Sequence, residues 1–149
     1  SWECLPRLVY FLSSGYSDSE YYHHLTKEYE GNKIVMAPEF TMNTGISYTQ
    51  AIKSSLFKSF TATTSVTGFG TQYFDEANTM KQDPYFLWNM DLGISGKHID
   101  FHVWGKNILD KNFFCYMFNS PVGNNLPEYM KSGQSGAPSR FGASITIKL

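Results

Sequence analysis

Residues 141–149 read FGASITIKL and alternate without a break between apolar residues and small or polar ones. Side chains of a β-strand point to opposite faces with period two, so one face of this segment is apolar and the other is polar. In a soluble sandwich the apolar face would point into a core. In an outer-membrane barrel it would point into lipid, and the polar face would line the lumen. A strand of about 9 to 11 residues also suits a tilted crossing of the bilayer.

The composition of the 149 residues favours β-structure rich in aromatic side chains. Aromatic residues make up 17% of the chain and charged residues another 17%, below the roughly 25% charged residues of an average soluble domain. The formal net charge is -1, which argues against a nucleic-acid partner. No apolar run reaches the length of a membrane helix. The two cysteines, Cys4 and Cys115, fit no metal-binding pattern.

Period-two patterns and turn residues predict six strands. Their ranges are 5–16, 39–48, 56–72, 85–95, 99–106 and 141–149. The third strand is rich in threonine, which forms strands well but fills a core poorly. Glycines inside the strands, among them Gly45 and Gly142, are expected to relieve crowding or to permit bends.

The connections between these strands alternate in length. Long segments lie at about 17–38, 73–84 and 107–139, and short turns lie at 50–54 and 95–98. The last loop, from residue 120 to residue 138, is predicted to be irregular because it is rich in glycine and proline. Outer-membrane barrels combine short periplasmic turns with long extracellular loops. If the last strand ends in the periplasm, all the long loops lie outside the cell.

The face opposite the apolar one carries many polar groups. These include Asn89, Asp91, Asp100, His102, Thr146 and Lys148. Each would need a partner in a dry core, whereas a hydrated lumen requires no such pairing. The sequence therefore predicts an all-β fold of antiparallel up-and-down transmembrane β-barrel strands. Aromatic residues at the strand ends, such as Tyr16, Tyr85 and Phe141, suit an interfacial girdle.

Candidate ligand-binding residues lie in the long loops. The candidates are Tyr21, Tyr22, His23, His24, Tyr73, Phe74, Phe113 and Tyr116. Aromatic clusters on loops can form a ligand platform, and they can equally pack the loops together over a pore. A lone histidine pair lacks the converging ligands that a metal needs, so no metal site is predicted.

No catalytic constellation is visible. Asp100 and His102 share a strand face with Asp91, but no suitably placed serine accompanies them. We therefore expect a protein that is not an enzyme and that has no cofactor. Lining of a lumen is the favoured interpretation of these three residues.

Three segments together resemble the C-terminal barrel portion of TonB-dependent outer-membrane receptors. They are APEFTMNTGISY at 37–48, VWGKNILDKNF at 103–113 and APSRFGASITIKL at 137–149. Residues 30–32 and the run DEANT at 75–79 resemble siderophore receptors in particular. The resemblance covers about residues 10–149, with the motifs in the family's order. Within the matched motifs, Asn107, Asp110, Pro138 and Arg140 are expected to shape the strand tops rather than to touch a substrate.

The resemblance implies an energy-coupled receptor of the bacterial outer membrane that imports an iron-siderophore or a similarly scarce chelate. Such receptors have a plug domain and about 22 strands, so residues 1–149 would be about six C-terminal strands, with the plug and earlier strands absent. The implied partners are outer-membrane lipid, the remaining strands and plug, a small-molecule ligand, and TonB through a preceding N-terminal part. The family usually ends in Phe or Trp, whereas this chain ends in Leu149. We expect a genuine C-terminus with an atypical last residue.

An alternative interpretation is a small soluble β-barrel that binds an apolar ligand, with its apolar faces turned inward. It suits the short chain better. It explains the polar opposite face and the alternating loop lengths less well.

Overall fold

A computed structural model describes residues 6–121 and 129–148 of the chain. Its ten strands are β1 (Arg7–Tyr16), β2 (Phe40–Ala51), β3 (Phe57–Phe69), β4 (Gln72–Tyr73), β5 (Lys81–Gln82), β6 (Tyr85–Gly96), β7 (Ile99–Lys106), β8 (Phe114–Pro121), β9 (Tyr129–Ser135) and β10 (Arg140–Ile147). One 3-10 turn, Lys27–Tyr29, lies between β1 and β2. No helix among the described residues is long and apolar enough to cross a membrane.

The six long strands form one antiparallel sheet in the order β1-β2-β3-β6-β7-β10. Each strand pairs with the preceding strand of the sheet, which is an up-and-down arrangement. These strands are the six predicted from the sequence, so the all-β antiparallel fold class is confirmed. The third strand ends at Phe69, before the predicted end at residue 72. Cys4 and Leu149 lie outside the described residues.

The register aligns most of the apolar residues of the six strands on one face, here called the apolar face. One row across that face is Tyr48, Ala62, Leu92, Val103 and Ala143. The opposite, polar face has a matching row of Ser47, Thr63, Asp91, Trp104 and Gly142. Two threonines of β3, Thr61 and Thr63, lie on the polar face, where their hydroxyls form hydrogen bonds with those of Thr49 and Ser47.

The apolar face of the sheet is uncovered. Within the described residues the buried apolar side chains are Phe74 and Met80, and both lie in a loop. Ile147 at the sheet edge is 71% exposed, and β1 does not pair with β10. A small soluble barrel or sandwich needs its apolar face buried in a core. The described residues do not form that closed, inward-facing structure, so the alternative interpretation finds no support in the fold.

Aromatic rings cover several of the strand glycines, and two of them illustrate the arrangement. The indole of Trp104 lies over Gly142 on the neighbouring strand, where a Cβ atom would come 2.4 Å from Trp104 Cζ2. The ring of Phe11 covers Gly45 in the same way, with Cζ 2.5 Å from the position of a Cβ. Both glycines therefore relieve crowding between adjacent strands, as predicted.

All the long connections lie at one end of the sheet, as predicted, and we call this the loop end. We name them L1 (residues 17–39), L2 (70–84) and L3 (107–139). Residues 52–56 and 97–98 make the short turns at the opposite end, the turn end. L2 contains the small ribbon β4-β5, and L3 contains the longer ribbon β8-β9. The prediction of irregular structure at 120–138 was therefore wrong for β9, which pairs with β8 although Gly133 lies within it.

Candidate functional site

The three long loops are bonded to one another at the loop end. The backbone N–H of Met36 in L1 donates to the carbonyl of Tyr73 in L2 at 2.8 Å. The N–H of Phe114 in L3 donates to Oε1 of Gln82 in L2, also at 2.8 Å. L2 therefore joins its two neighbours, and we call the three loops together the loop cap.

The four aromatic candidates of L1 separate into an outward pair and an inward pair. Tyr22 is 86% exposed and the side chain of His23 is 83% exposed, and their rings meet edge to face with centroids 4.6 Å apart. The ring of His24 instead lies between Tyr21 and Tyr29, with centroids 5.2 Å from each. Tyr22 and His23 are therefore the pair exposed to solvent.

The inward histidine also links L1 to L2. His24 Nε2 lies 3.4 Å from the carboxylate of Glu76. A second link uses Asn32, whose Nδ2 donates to the carbonyl of Glu76 at 2.8 Å. Nearby, Lys33 binds Asp18 and Glu20, and these side-chain hydrogen bonds hold the pKa of Lys33 above its ordinary range. The two contacts with Glu76 join L1 to L2, and the ion pairs of Lys33 stabilise L1 itself.

A turn around Asp75 organises L2. Its carboxylate accepts hydrogen bonds from the hydroxyl of Thr79 and the backbone N–H of Met80, both at 2.7 Å. Burial raises the pKa of Asp75, but hydrogen bonds from Thr79 and Met80 outweigh it, so the pKa lies below its ordinary value. Asn78 adopts a left-handed φ of 55° and accepts from Lys33 N–H at 2.7 Å. The DEANT run thus shapes the loop.

The aromatic candidates of L2 and L3 take part in loop packing. Phe74 is 7% exposed, and its ring meets Tyr116 edge to face at 6.4 Å. Phe113 stacks on Tyr85 at 4.5 Å, and Tyr85 stacks on Phe69 at 5.2 Å. Phe74 is enclosed within the loop cap, which matches the packing interpretation of this cluster. Tyr73, Phe113 and Tyr116 are less buried, and ligand contact by these three remains a prediction.

Asn107 closes the base of L3. It is 4% exposed and has a left-handed φ of 49°. Its Nδ2 donates to the carbonyls of Lys111 and Ala137, both at 3.0 Å, and its Oδ1 accepts from Lys111 N–H at 2.9 Å. Asp110 Oδ1 accepts from Ser139 N–H at 2.8 Å. Both motif residues shape the strand tops, as expected.

A second candidate site lies on the polar face, near its loop end. It is a cavity of about 380 Å³ lined by two rows of side chains. The row nearer the loops contributes Ser65, Asn89, Lys106 and Arg140, and the next row contributes Thr63, Asp91 and Trp104. The sequence prediction placed Arg140 at a strand top and did not associate it with a cavity. A long loop separates β7 from β10, so their register could not be read from the sequence.

The arrangement around His102 does not form a catalytic triad. Its Nδ1 lies 3.6 Å from the Asp91 carboxylate. Ser144 is the cross-strand partner of His102, but the imidazole lies over Gly93, on the opposite side from β10. In the part of the chain that the structure describes, no group of three or more His, Cys, Asp or Glu side chains could hold a metal ion.

Comparison with known proteins yields a structural likeness. No protein-family model matches the chain. The fold resembles part of the crystal structure of the ferric yersiniabactin uptake receptor FyuA from Yersinia pestis, with a TM-score of 0.67 and 18% sequence identity. The aligned region covers 80% of this chain and 17% of the receptor chain. At this identity the likeness establishes the fold alone: the chain shares the antiparallel strand architecture of one part of an uptake receptor.

Proposed function

We propose that this chain is part of an energy-coupled receptor of the bacterial outer membrane, which imports an iron-siderophore or a similarly scarce chelate. Its role is not enzymatic. It supplies barrel wall, lumen lining and outer loops. The observation that carries the proposal is the uncovered apolar face, at whose centre the hydroxyls of Thr44 and Thr64 and the indole N–H of Trp88 are hydrogen-bonded within the sheet.

Two threonines in the middle of the apolar face illustrate this pairing. The indole N–H of Trp88 donates to Thr64 Oγ1 at 2.6 Å. The hydroxyl of Thr44 lies 3.0 Å from Tyr10 Oη and 3.2 Å from the Phe11 carbonyl. In lipid no water is present to satisfy such groups, and each unpaired one costs several kcal/mol. A face that meets water would not need these bonds, so their presence supports lipid contact.

The polar face supports the other half of the proposal. Asp91 and His102 are both partly exposed on it, and Lys148 pairs with Asp100 at 2.8 Å near the turn end. Charged groups on this face suit a hydrated interior. The loop cap would then close over the outer end of that interior, where Tyr22 and His23 could meet an incoming chelate.

The remaining partners follow from the receptor interpretation. FyuA takes up ferric yersiniabactin, and a ferric chelate is accordingly the ligand class proposed for this protein. The other strands would pair with the edges β1 and β10, and the plug would occupy part of the interior. The TonB contact would lie in the part that carries the plug.

Membrane fractionation of the full-length gene product tests the proposal. We expect the protein in the outer-membrane fraction, with extraction only by detergent, and we expect uptake of a radiolabelled ferric chelate that is lost when the gene is deleted. A protein that is monodisperse without detergent would contradict the proposal. It would instead favour a soluble ligand-binding protein.

A further inference from the structure

Lys106 and Arg140 are directly opposed on adjacent strands of the polar face. Like charges in this position destabilise a sheet. In the described part of the chain neither cation forms an ion pair with a carboxylate, whereas Lys33, Lys81 and Lys148 do. Among the described residues these two neighbouring positive charges have no carboxylate partner, so an anionic group bound between them would stabilise the sheet.

Both cations line the polar-face cavity, whose volume of about 380 Å³ lies within the range of small-molecule sites. Asn89, in the same row, accepts a hydrogen bond from Asn107 N–H through Oδ1 at 3.1 Å, which leaves its Nδ2 to donate. Arg140 offers a planar fork that suits a carboxylate. The three side chains together provide donors for one anionic head group.

Trp104 provides an apolar surface beside these donors. Its indole is held flat over Gly142, which has no side chain to lift it. Asp91 lies in the same row as Trp104 and also lines the cavity. This row is roughly 7 Å, measured along the strand direction, from the row that contains Lys106. A second negative charge on the ligand would be repelled there, so the row that holds Trp104 suits an uncharged planar group.

We propose that Lys106, Arg140 and Trp104 form a binding site for an aromatic carboxylate, with the carboxylate on the two cations and the ring on the indole. This site would lie on the wall of the lumen. It rests on the proposed function, because a ligand can reach Lys106 and Arg140 only if the polar face is open to water. The chelate itself or a free aromatic acid could supply this chemistry.

The test measures binding of benzoate to the full-length gene product in detergent by titration calorimetry. We expect saturable binding that weakens as salt is added. Lys106→Gln combined with Arg140→Gln should weaken it about tenfold or more, because charge-assisted hydrogen bonds are lost. Benzyl alcohol, which keeps the ring and lacks the charge, should bind about tenfold more weakly than benzoate.

Lys53→Gln combined with Lys58→Gln is the matched control, because it removes the same charge from the turn end. It should leave benzoate affinity within about twofold. Arg140→Lys keeps the charge but not the fork, and it should lose less than the double variant. Circular dichroism of each variant checks that the sheet still forms.

Equal benzoate affinity in the wild type and the double variant would overturn the anion site. Absence of benzoate binding would also overturn the anion site. If that protein still imports a ferric chelate, the proposed receptor function is unaffected. The protein could instead prove soluble without detergent and bind benzoate through Lys106 and Arg140. That result would support the anion site and contradict the proposed receptor function. Competition between benzoate and the ferric chelate distinguishes the chelate from a free acid as the source of the carboxylate.

Discussion

The sheet and the loop cap are stabilised in different ways. The sheet has uncovered faces and is held by backbone pairing, while the loop cap contains both of the buried apolar side chains of the described residues, Phe74 and Met80, and the buried Asn107. A sheet without an internal core depends on what surrounds its apolar face. The loop cap carries its own small core and its own polar network. The two regions should therefore respond differently to substitutions, solvent and pH.

The largest effect is expected from a charge placed on the apolar face. Leu92→Arg should destabilise the folded protein in lipid by about 2 to 4 kcal/mol, because arginine near the bilayer midplane must be desolvated. Thr63→Arg, on the polar face of the neighbouring strand, should cost only about 1 kcal/mol, because it loses the hydroxyl hydrogen bond with Ser47 but keeps its charge in water. Urea titration of the full-length protein in lipid vesicles measures both. Equal costs for the two variants would mean that the two faces do not meet different solvents.

A substitution in the loop cap should act locally. Asn107→Ala should lower the free energy of opening of L3 by about 2 kcal/mol, because it leaves Lys111 N–H and two carbonyls without partners. The left-handed backbone at this position also disfavours alanine. Hydrogen exchange of the L3 amides reads out the change, and the amides of β2 and β3 should keep their protection.

Asn43→Ala serves as the control for this variant. Asn43 is exposed on the polar face, and its Oδ1 accepts a long hydrogen bond of 3.4 Å from the Thr67 hydroxyl. Its replacement should change stability by less than about 0.5 kcal/mol. If Asn107→Ala instead loosened the whole sheet, the loop cap and the sheet would be one cooperative unit.

The hydrogen bond between Trp88 and Thr64 should contribute a smaller amount. Trp88→Phe should cost about 0.6 to 1 kcal/mol of stability in lipid beyond the loss of ring area, which is the usual size of a side-chain hydrogen bond in a membrane. A double-mutant cycle with Thr64→Val isolates the pairwise contribution. A coupling energy of zero would mean that the Trp88–Thr64 hydrogen bond does not stabilise the protein in lipid, and the pair would then not support lipid contact.

Acid should give the smallest effect, and in the loop cap it should act through Asp75. The folded pKa of Asp75 lies below its ordinary value of 3.8 because hydrogen bonds to the carboxylate outweigh its burial. The stabilisation is therefore complete above pH 3.8 and is lost as the pH falls through the lower folded value. Protection of the L2 amides should decrease in that window. In Asp75→Asn, whose side chain does not titrate there, L2 protection should decrease less over this pH range than it does in the wild type.

The sequence predicted the sheet well and the loop cap poorly, for physical reasons. Period-two alternation is a local signal, so β1, β6 and β10 could be located within a few residues. Burial of Phe74 depends on Tyr116, which lies far along the chain and approaches only when L2 and L3 pack together. The same limitation applies to the polar-face cavity. Lys106 and Arg140 become neighbours only through the register of β7 and β10.

The even number of strands in the main sheet has a consequence for how such a structure could grow. The Arg7 end of β1 and the Ile147 end of β10 both lie at the turn end. A set of strands whose first and last residues lie at the same end of a sheet can be inserted between two other strands through short connections. The flanking strands then keep their direction. A unit of this kind suits enlargement of a sheet by duplication of hairpins, with the long loops free to diverge independently.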